Sequence, residues 1–363
     1  MRIAICLPRK MHFGPARATA IDLCVRDTVV HSAYRDDTVV FGEPVDEPFP
    51  EVDYRAMPRS SGASQRAYAT ALGEAMAATS PDLIVVHQHM PSASAIRAKV
   101  RDIPVLVYRH NALSVPGSAL ARWLKGRQLA AFDGFVLVSD FIRDQFVGAY
   151  PKLERKAWRV HNGLDFSRWQ PSDTRENTIL FVGRAVSEKG AHEAALVVSR
   201  MLADNPSWSA RFIVSTLDAD EAYIERLREI LRPLGHRASL ETDRPHAAVK
   251  LAFESAAIAL VPSLFAEPFG RTAIEAFAGG AALITSGRGG LAEIANGAAE
   301  IVDPQDQTAF STVLRTLVED PTRRASLAER GKTRGHTHFD VRALARDLDS
   351  VCERCVTTKR ESR

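Results

Sequence analysis

The chain has 363 residues, 45% hydrophobic and 25% charged, an ordinary globular composition that at ~100–200 residues per domain predicts two domains. Its formal net charge of +3 is too small to argue for nucleic acid, but it is uneven: residues 1–170 carry 22 Lys and Arg against 17 Asp and Glu, the rest 25 against 27. Four cysteines, no signal peptide and no run of the ~20 apolar residues a membrane span needs argue for a reducing, cytoplasmic compartment.

In chain order, short apolar runs read as strands at residues 2–8, 38–42, 82–88, 104–110 and 134–140. Helical patterns lie between them, at Thr19–Asp27, Gln65–Ala78 and Leu120–Phe132. Near-continuous apolar strands with helices between them predict a parallel sheet covered on both faces. The pattern restarts beyond about residue 170, with strands at 178–184, 210–216, 257–263, 282–286 and 299–303. The join at 165–177 is polar and contains Pro171, so it reads as a linker. The expected organisation is α/β, two Rossmann-like doubly wound domains facing a central cleft. Residues 1–165 form the first domain and 166–340 the second. A terminal helix and tail, 341–363, packs back toward the first domain.

Cys6 and Cys24 read as buried thiols, and the Cys352/Cys355 pair lacks the neighbours that zinc or redox use would need. Three strand-to-helix turns of the second half carry chemistry. In "FVGRAVSEKG" (181–190) a strand ends at Gly183, and Arg184 and Lys189 put two cations where a helix starts, which suits a diphosphate. In "LFAEPFGRTAIEAFAGG" (264–280) Glu267 lies in the loop, Phe269, Gly270 and Arg271 make the turn, and Glu275 lies one turn inside the helix. An acid among Ile274, Ala276 and Phe277 needs a partner, either ribose hydroxyls or a structural salt bridge. In "SGRGGLAEI" (286–294) Gly289 and Gly290 offer backbone N–H groups to a phosphate. Together the three turns read as a site for a nucleotide diphosphate.

With "VHNGLDFSRW" (160–169), these motifs resemble the retaining, nucleotide-sugar-dependent glycosyltransferases of family 4 with the GT-B fold; the likeness is specific over residues 157–303 and weaker elsewhere. The resemblance implies a nucleotide-sugar donor on the second domain and an acceptor on the first. It implies no cofactor beyond the nucleotide-diphosphate sugar as co-substrate, and no metal. It assigns Arg184 and Lys189 to the diphosphate, Glu275 to the ribose and Glu267 to the transferred sugar. Gly183, Phe269, Gly270, Arg271, Gly289 and Gly290 form the donor-side turns, and His110 in "YRHNA" reaches the sugar. The acceptor is expected to be a glycan or a lipid-linked molecule of bacterial surface polysaccharide or lipopolysaccharide synthesis. The alternative on the same architecture is a nucleotide-sugar epimerase, and a third reading is a non-catalytic sugar-nucleotide-binding module.

The segment after the first strand departs from the family's Gly-Gly loop. Arg9, Lys10, His12 and Arg17 there suit an anionic acceptor or a solvated loop. Asp218 and Asp220 read as helix-start acids rather than a metal pair. The basic, amphipathic stretch 119–132, with Trp123, Lys125 and Arg127, reads either as an ordinary helix packed on a sheet or as a peripheral contact with the inner membrane.

Overall fold

The structure, a computed structural model, describes residues 1–16, 18–58, 64–217 and 219–361. Its first part runs β1 (Ile3–Cys6), α1 (Ala20–His31), β2 (Thr38–Gly42), β3 (Asp53–Ala56), α2 (Gln65–Ala78), β4 (Leu83–His87), α3 (Met90–Lys99), β5 (Val105–Arg109), α4 (Ala119–Ala130), β6 (Gly134–Leu137), α5 (Asp140–Ala149) and β7 (Ala157–Arg159). The second runs β8 (Glu176–Arg184), α6 (Ala191–Asp204), β9 (Ser209–Ser215), α7 (Glu221–Leu231), β10 (Ala238–Thr242), α8 (His246–Ser255), β11 (Ala256–Val261), α9 (Arg271–Gly279), β12 (Ala282–Thr285), α10 (Gly290–Ala295), β13 (Glu300–Ile301), α11 (Gln307–Glu319), α12 (Pro321–Phe339) and finally α13 (Val341–Glu361).

Two parallel sheets result, in the orders β3-β2-β1-β4-β5-β6-β7 and β10-β9-β8-β11-β12-β13. The chain divides into two compact units, Met1–Gly163 with Val341–Arg363, and Leu164–Asp340. Each sheet has one point where the strand order reverses, between β1 and β4 and between β8 and β11. In doubly wound sheets ligands bind beyond the strand carboxyl ends at such points.

The central strands form because their residues are apolar on both faces. All six residues of β11 are buried, as are all five of β4 and β5. Phe181, Phe212, Ile258 and Ile284 lie in the core of the second unit. The sequence reading lacked β3, β7 and β10, and gave residues 299–303 a strand where β13 has two residues. Each of these four lies at the edge of its sheet or pairs there with one neighbour. None of the residues of β3 or β10 is fully buried, so neither shows the apolar run that marks a covered strand.

The polar segment after Gly163 is not a free linker. Gln170 and Ser172 donate backbone N–H groups to Glu254 at 2.5 and 2.9 Å. Arg175 ties down the ends of α8 and α9, with bonds of 3.3, 3.2 and 3.0 Å to the carbonyls of Phe253, Glu254 and Ala256, and 2.6 Å to that of Gly279. The segment therefore belongs to the second unit, and the crossing point is Gly163–Leu164, where Leu164 and Asp340 bridge in parallel. α13 completes the first unit: Asp349 accepts from Ser32 Oγ at 2.6 Å and from the Ala33 N–H at 2.8 Å, at the end of α1.

Candidate active site

β8 ends at Arg184, as the expected strand 178–184 does. A 3-10 turn, Ser187–Lys189, then leads through Gly190 into α6. The two cations do not stand alone. Arg184 meets Glu188 at 2.9 Å on the surface. Lys189 Nζ lies 2.5 Å from Glu267 Oε1 and 5.0 Å from the Phe265 ring centre.

Glu267 sits in the loop that leaves β11. Ser263, buried at the start of that loop, donates its hydroxyl to the same Oε1 at 2.5 Å. Both donors thus converge on one carboxylate oxygen, while Oε2 takes none among the described residues. Glu275 repeats the arrangement. Arg271 Nε at 3.1 Å and His246 Nε2 at 3.2 Å share its Oε1, and Oε2 again has no donor among the described residues. Burial alone would raise the Glu275 carboxyl. The His246 hydrogen bond and charge, with the Arg271 charge, overcome it and hold the group below the usual carboxylate range. Both glutamates are buried, so each would be costly without its cation.

Gly270 precedes α9 with φ +120°, a conformation that L side chains rarely adopt, and no side chain caps the helix there. Phe269 is buried edge-on against Phe339, centroids 5.7 Å apart. Gly290 differs from expectation. Gly290 spends its N–H on Glu267 O at 2.7 Å, so it does not offer that group to a phosphate. A Cβ on Gly289 would strike the Glu267 carbonyl. The pair lets the 286–290 turn press against the loop that carries Glu267.

In the first unit His110 follows β5. Its ring stacks on Tyr108 with centroids 4.8 Å apart, and its Nε2 lies 2.9 Å from Nδ1 of buried His87. Burial, with the nearby Arg109 charge, pushes His110 down to about 3. Burial pushes His87 well below its ordinary value too, with His110 adding to it. Both rings are neutral, one donating to the other. The turn is fixed by Gln88, whose side-chain oxygen accepts from the N–H groups of His110 and Asn111 at 2.9 and 3.2 Å. A cavity of about 30 Å³ adjoins both rings, with Cys24, Asp349 and Cys352 on its far side.

The remaining expectations fall out as follows. Arg9 lies 3.6 Å from Glu43, whose other oxygen accepts from the Lys10 N–H at 3.2 Å. The His12 N–H points to Asp22 at 3.3 Å. Asp220 accepts from the Ala222 N–H at 3.0 Å and caps α7. Arg17 and Asp218 lie outside the described residues. Cys352 and Cys355 are buried thiols; burial pushes Cys355 up to about 12 and Cys352 further, which keeps both protonated. Ser263 and His246 are site residues that the sequence reading missed. Nothing near either one in the chain marks it, because each meets its glutamate only through the fold.

The model of the family described as "Glycosyl transferases group 1" matches residues 165–334, and that of "Glycosyltransferase Family 4" matches 28–168. Glycogen synthase of Mycobacterium tuberculosis is 26% identical over 288 residues, 73% of this chain and 67% of that protein. D-inositol 3-phosphate glycosyltransferase 1 of Catenulispora acidiphila is 27% identical over 310 residues, 76% of this chain and 72% of that one. Among solved structures, Anabaena HepE in complex with UDP and glucose superposes with a TM-score of 0.76 at 17% identity, over 96% of this chain and 99% of that one, a likeness of fold.

Proposed function

We propose that this chain, which belongs to the family 4 glycosyltransferases of GT-B fold, moves a sugar from a nucleoside diphosphate sugar to a glycan or lipid-linked acceptor with retention of configuration. The observation that carries this reading is the pair of buried glutamates, each held through Oε1 and open at Oε2, beside the point where the second sheet reverses. An ionised carboxylate oxygen with no donor of its own suits a sugar hydroxyl. Glu275 takes the ribose and Glu267 the transferred sugar. The solved structure of HepE with UDP and glucose supports a donor of this class.

Breaking the glycosyl–phosphate bond builds negative charge on the leaving diphosphate and positive charge on the sugar. Arg184 and Lys189 supply cations for the diphosphate, and the uncapped start of α9 adds backbone N–H groups. To do so Arg184 leaves its exposed pair with Glu188, a kind of contact that contributes little. Lys189 stays beside Glu267, so cation and sugar-binding acid move as one element. These side chains supply the charge that a divalent ion would otherwise bring. Both open glutamate oxygens are assigned to hydroxyls and neither to a covalent intermediate. Attack on the leaving-group side then gives retention. In the first unit, His110 keeps a neutral ring with its Nδ1 unpartnered among the described residues, a hydrogen-bonding group for a sugar hydroxyl. The acceptor is assigned to bacterial surface polysaccharide or lipopolysaccharide synthesis, and to the first unit. The relatives described above are named as a synthase and a transferase, which does not favour the epimerase alternative.

The test is a thermal-shift screen of nucleotide sugars, since a ligand that binds only the folded chain raises its melting temperature. The preferred donor is then incubated with an acceptor panel and followed by NMR. Transfer with the anomeric configuration kept is the expected result; epimerised donor without acceptor would overturn it.

A further inference from the structure

Two arginines are buried among the described residues, Arg109 and Arg271, and they are compensated differently. Arg271 meets Glu275 at 3.1 Å. Arg109, at the end of β5 and 7% exposed, meets no carboxylate among the described residues. Its Nη1 donates to the carbonyl of Gln88 and its Nη2 to that of Ala112 at 3.1 Å, while its buried Nε has no hydrogen-bond partner there. Burial pushes Arg109 down to about 10, which leaves it charged near neutral pH. A buried charge without a counter-ion is costly, and a neutral amide could tie the same two carbonyls. The guanidinium therefore calls for an anion that the chain itself does not supply.

The groups around Arg109 are cationic too. Burial and then the Arg109 charge lower His110 and Lys125, and burial, Arg9 and Arg109 lower His89; no acid enters any of these shifts. Arg9, just after β1, lies 3.6 Å from Glu43, beyond hydrogen-bond reach, and Arg9 Nε and Glu43 Oε1 are both buried without a hydrogen-bond partner among the described residues. Glu43 balances Arg9, so the Arg109 charge stays unanswered. The backbone here is strained: Lys10, after β1, and Gln88, after β4, both have φ +59°. Across Gln88 the His89 N–H closes on the His87 carbonyl at 2.6 Å, a tight three-residue turn. β1 and β4 are the strands between which the first sheet reverses, where doubly wound sheets bind ligands. There is room for one. Gln65 Nε2 meets His89 Nε2 at 2.6 Å, and from Gln65 a groove of about 490 Å³ runs between α2 and α3, lined by Arg66, Thr70, Ser94 and Lys99.

We propose that Arg109, with Arg9, forms an anion subsite on the first unit that takes a phosphate group carried by the acceptor, the rest of that molecule lying in the groove between α2 and α3. A phosphate monoester carries a charge of about −1.5 to −2 near pH 7 and has oxygens to accept from Arg109 Nε, so it supplies the missing counter-ion. Its assignment to the acceptor rests on the sugar-transfer reading; the anion subsite itself does not.

The test is calorimetric titration of the full chain with inorganic phosphate, glucose 6-phosphate, glucose and a short-chain phosphatidic acid. The wild type is compared with Arg109→Gln, which keeps an amide for the carbonyls of Gln88 and Ala112, and with Arg9→Ala, at a partly exposed position. The cations of the second unit are present in all three proteins, so a difference between them reports the first unit. Arg109→Gln should melt close to the wild type and bind the phosphorylated probes at least about tenfold more weakly, the worth of a hydrogen bond to a charged group. Arg9→Ala should lose a few-fold, since it also leaves Glu43 uncompensated. Glucose should not distinguish the three. Tighter binding of glucose 6-phosphate than of phosphatidic acid assigns a soluble phosphorylated acceptor, and the reverse order a lipid-linked one. Unchanged phosphate affinity in both variants, or glucose bound as tightly as glucose 6-phosphate, would overturn the proposal. If Arg109→Gln does not fold, unchanged affinity in Arg9→Ala does so alone. The donor-induced thermal shift should survive in Arg109→Gln. A wild type that binds phosphate through Arg109 but shows no shift with any nucleotide sugar would sink the transfer reading and leave the anion subsite standing.

Discussion

At the carboxyl ends of β8 and β11 the buried glutamates are matched by cations, whereas at those of β4 and β5 the two buried histidines lose their charge. Arg271 and His246 are set against one oxygen of Glu275 and hold it below the usual carboxylate range, and Lys189 is set against one oxygen of Glu267. His87 and His110 face each other with no carboxylate hydrogen-bonded to either ring among the described residues, and burial keeps both rings neutral. The same doubly wound topology thus buries polar atoms in two ways, by compensation and by neutralisation. The compensated end can answer a ligand's hydroxyls and phosphates with ions that are already placed. The histidine pair offers uncharged hydrogen bonds, beside the buried Arg109 guanidinium, which burial lowers to about 10 and so leaves charged near neutral pH.

Replacing Lys189 by Ala should break the comparison most visibly. It removes a cation assigned to the leaving group and strips Glu267 of its compensating charge. A fall of about 10²–10³ in kcat is expected, from steady-state kinetics with the preferred donor. A loss confined to KM would mean that Lys189 binds ground state and transition state alike. Glu275→Ala comes next. It should abolish the donor-induced thermal shift, with a loss of about 1.5–3 kcal/mol in donor affinity by calorimetry, the worth of a hydrogen bond to a charged group. Full retention of the shift would remove the ribose assignment and return Glu275 to a structural ion pair with Arg271.

The two ends were unequally legible in the sequence. Strands β8 and β11 and their turns could be read because both are covered on two faces, and Glu267 and Glu275 drew notice as acids in apolar surroundings. Their partners could not be read. His246 meets Glu275 across 29 residues and Ser263 reaches Glu267 only through the bend of the loop. The Gly289–Gly290 turn was recognisable as a turn, but its N–H direction is a tertiary fact: Gly290 points at the Glu267 carbonyl. His110 could be placed at a strand end, yet its pairing with His87 depends on register between β4 and β5, where His87 lies opposite Tyr108. Helical period likewise groups Leu120, Trp123 and Leu124 on one face of α4 without saying that the face turns outward.

The histidine pair sharpens the comparison through pH. A histidine whose folded value lies below its unfolded one binds fewer protons folded than unfolded between the two values. Stability therefore rises with pH up to the unfolded value, near 6.5, and falls below it; for His110 the fall continues toward about 3. Each such histidine costs up to about 1.4 kcal/mol per pH unit in that window. Glu275 acts in a lower window. Its folded value is depressed, so its contribution is present above the unfolded carboxylate value and is lost as pH falls through the folded one. Urea unfolding at pH 7 and pH 5 should show the first effect, and His87→Gln with His110→Gln should flatten it. Glu275→Gln should leave the pH 7 to 5 difference unchanged and alter the curve only below about pH 4.3. An unchanged slope in the double histidine variant would mean that the pair is not held neutral.

The smallest effect concerns an ion pair on the catalytic side that lies open to solvent. Arg184 and Glu188 are four residues apart and both substantially exposed. Such pairs contribute about 0.2–1 kcal/mol, because water screens the charges and two long side chains lose freedom. Glu188→Gln should therefore change unfolding free energy by less than about 1 kcal/mol, within the range of exposed pairs. Its effect on the donor should have the opposite sign to that of Lys189→Ala. With Glu188 neutral, Arg184 no longer has to leave a carboxylate to reach the diphosphate, so donor affinity should hold or rise by a few-fold. Comparing donor titrations of the variant and the wild type at low and high salt separates the two contributions, since an exposed pair is screened by salt. A large loss of affinity in Glu188→Gln would show that Glu188 orients Arg184 toward the phosphates. The compensated end of the molecule would then extend to the surface, beyond the two buried glutamates.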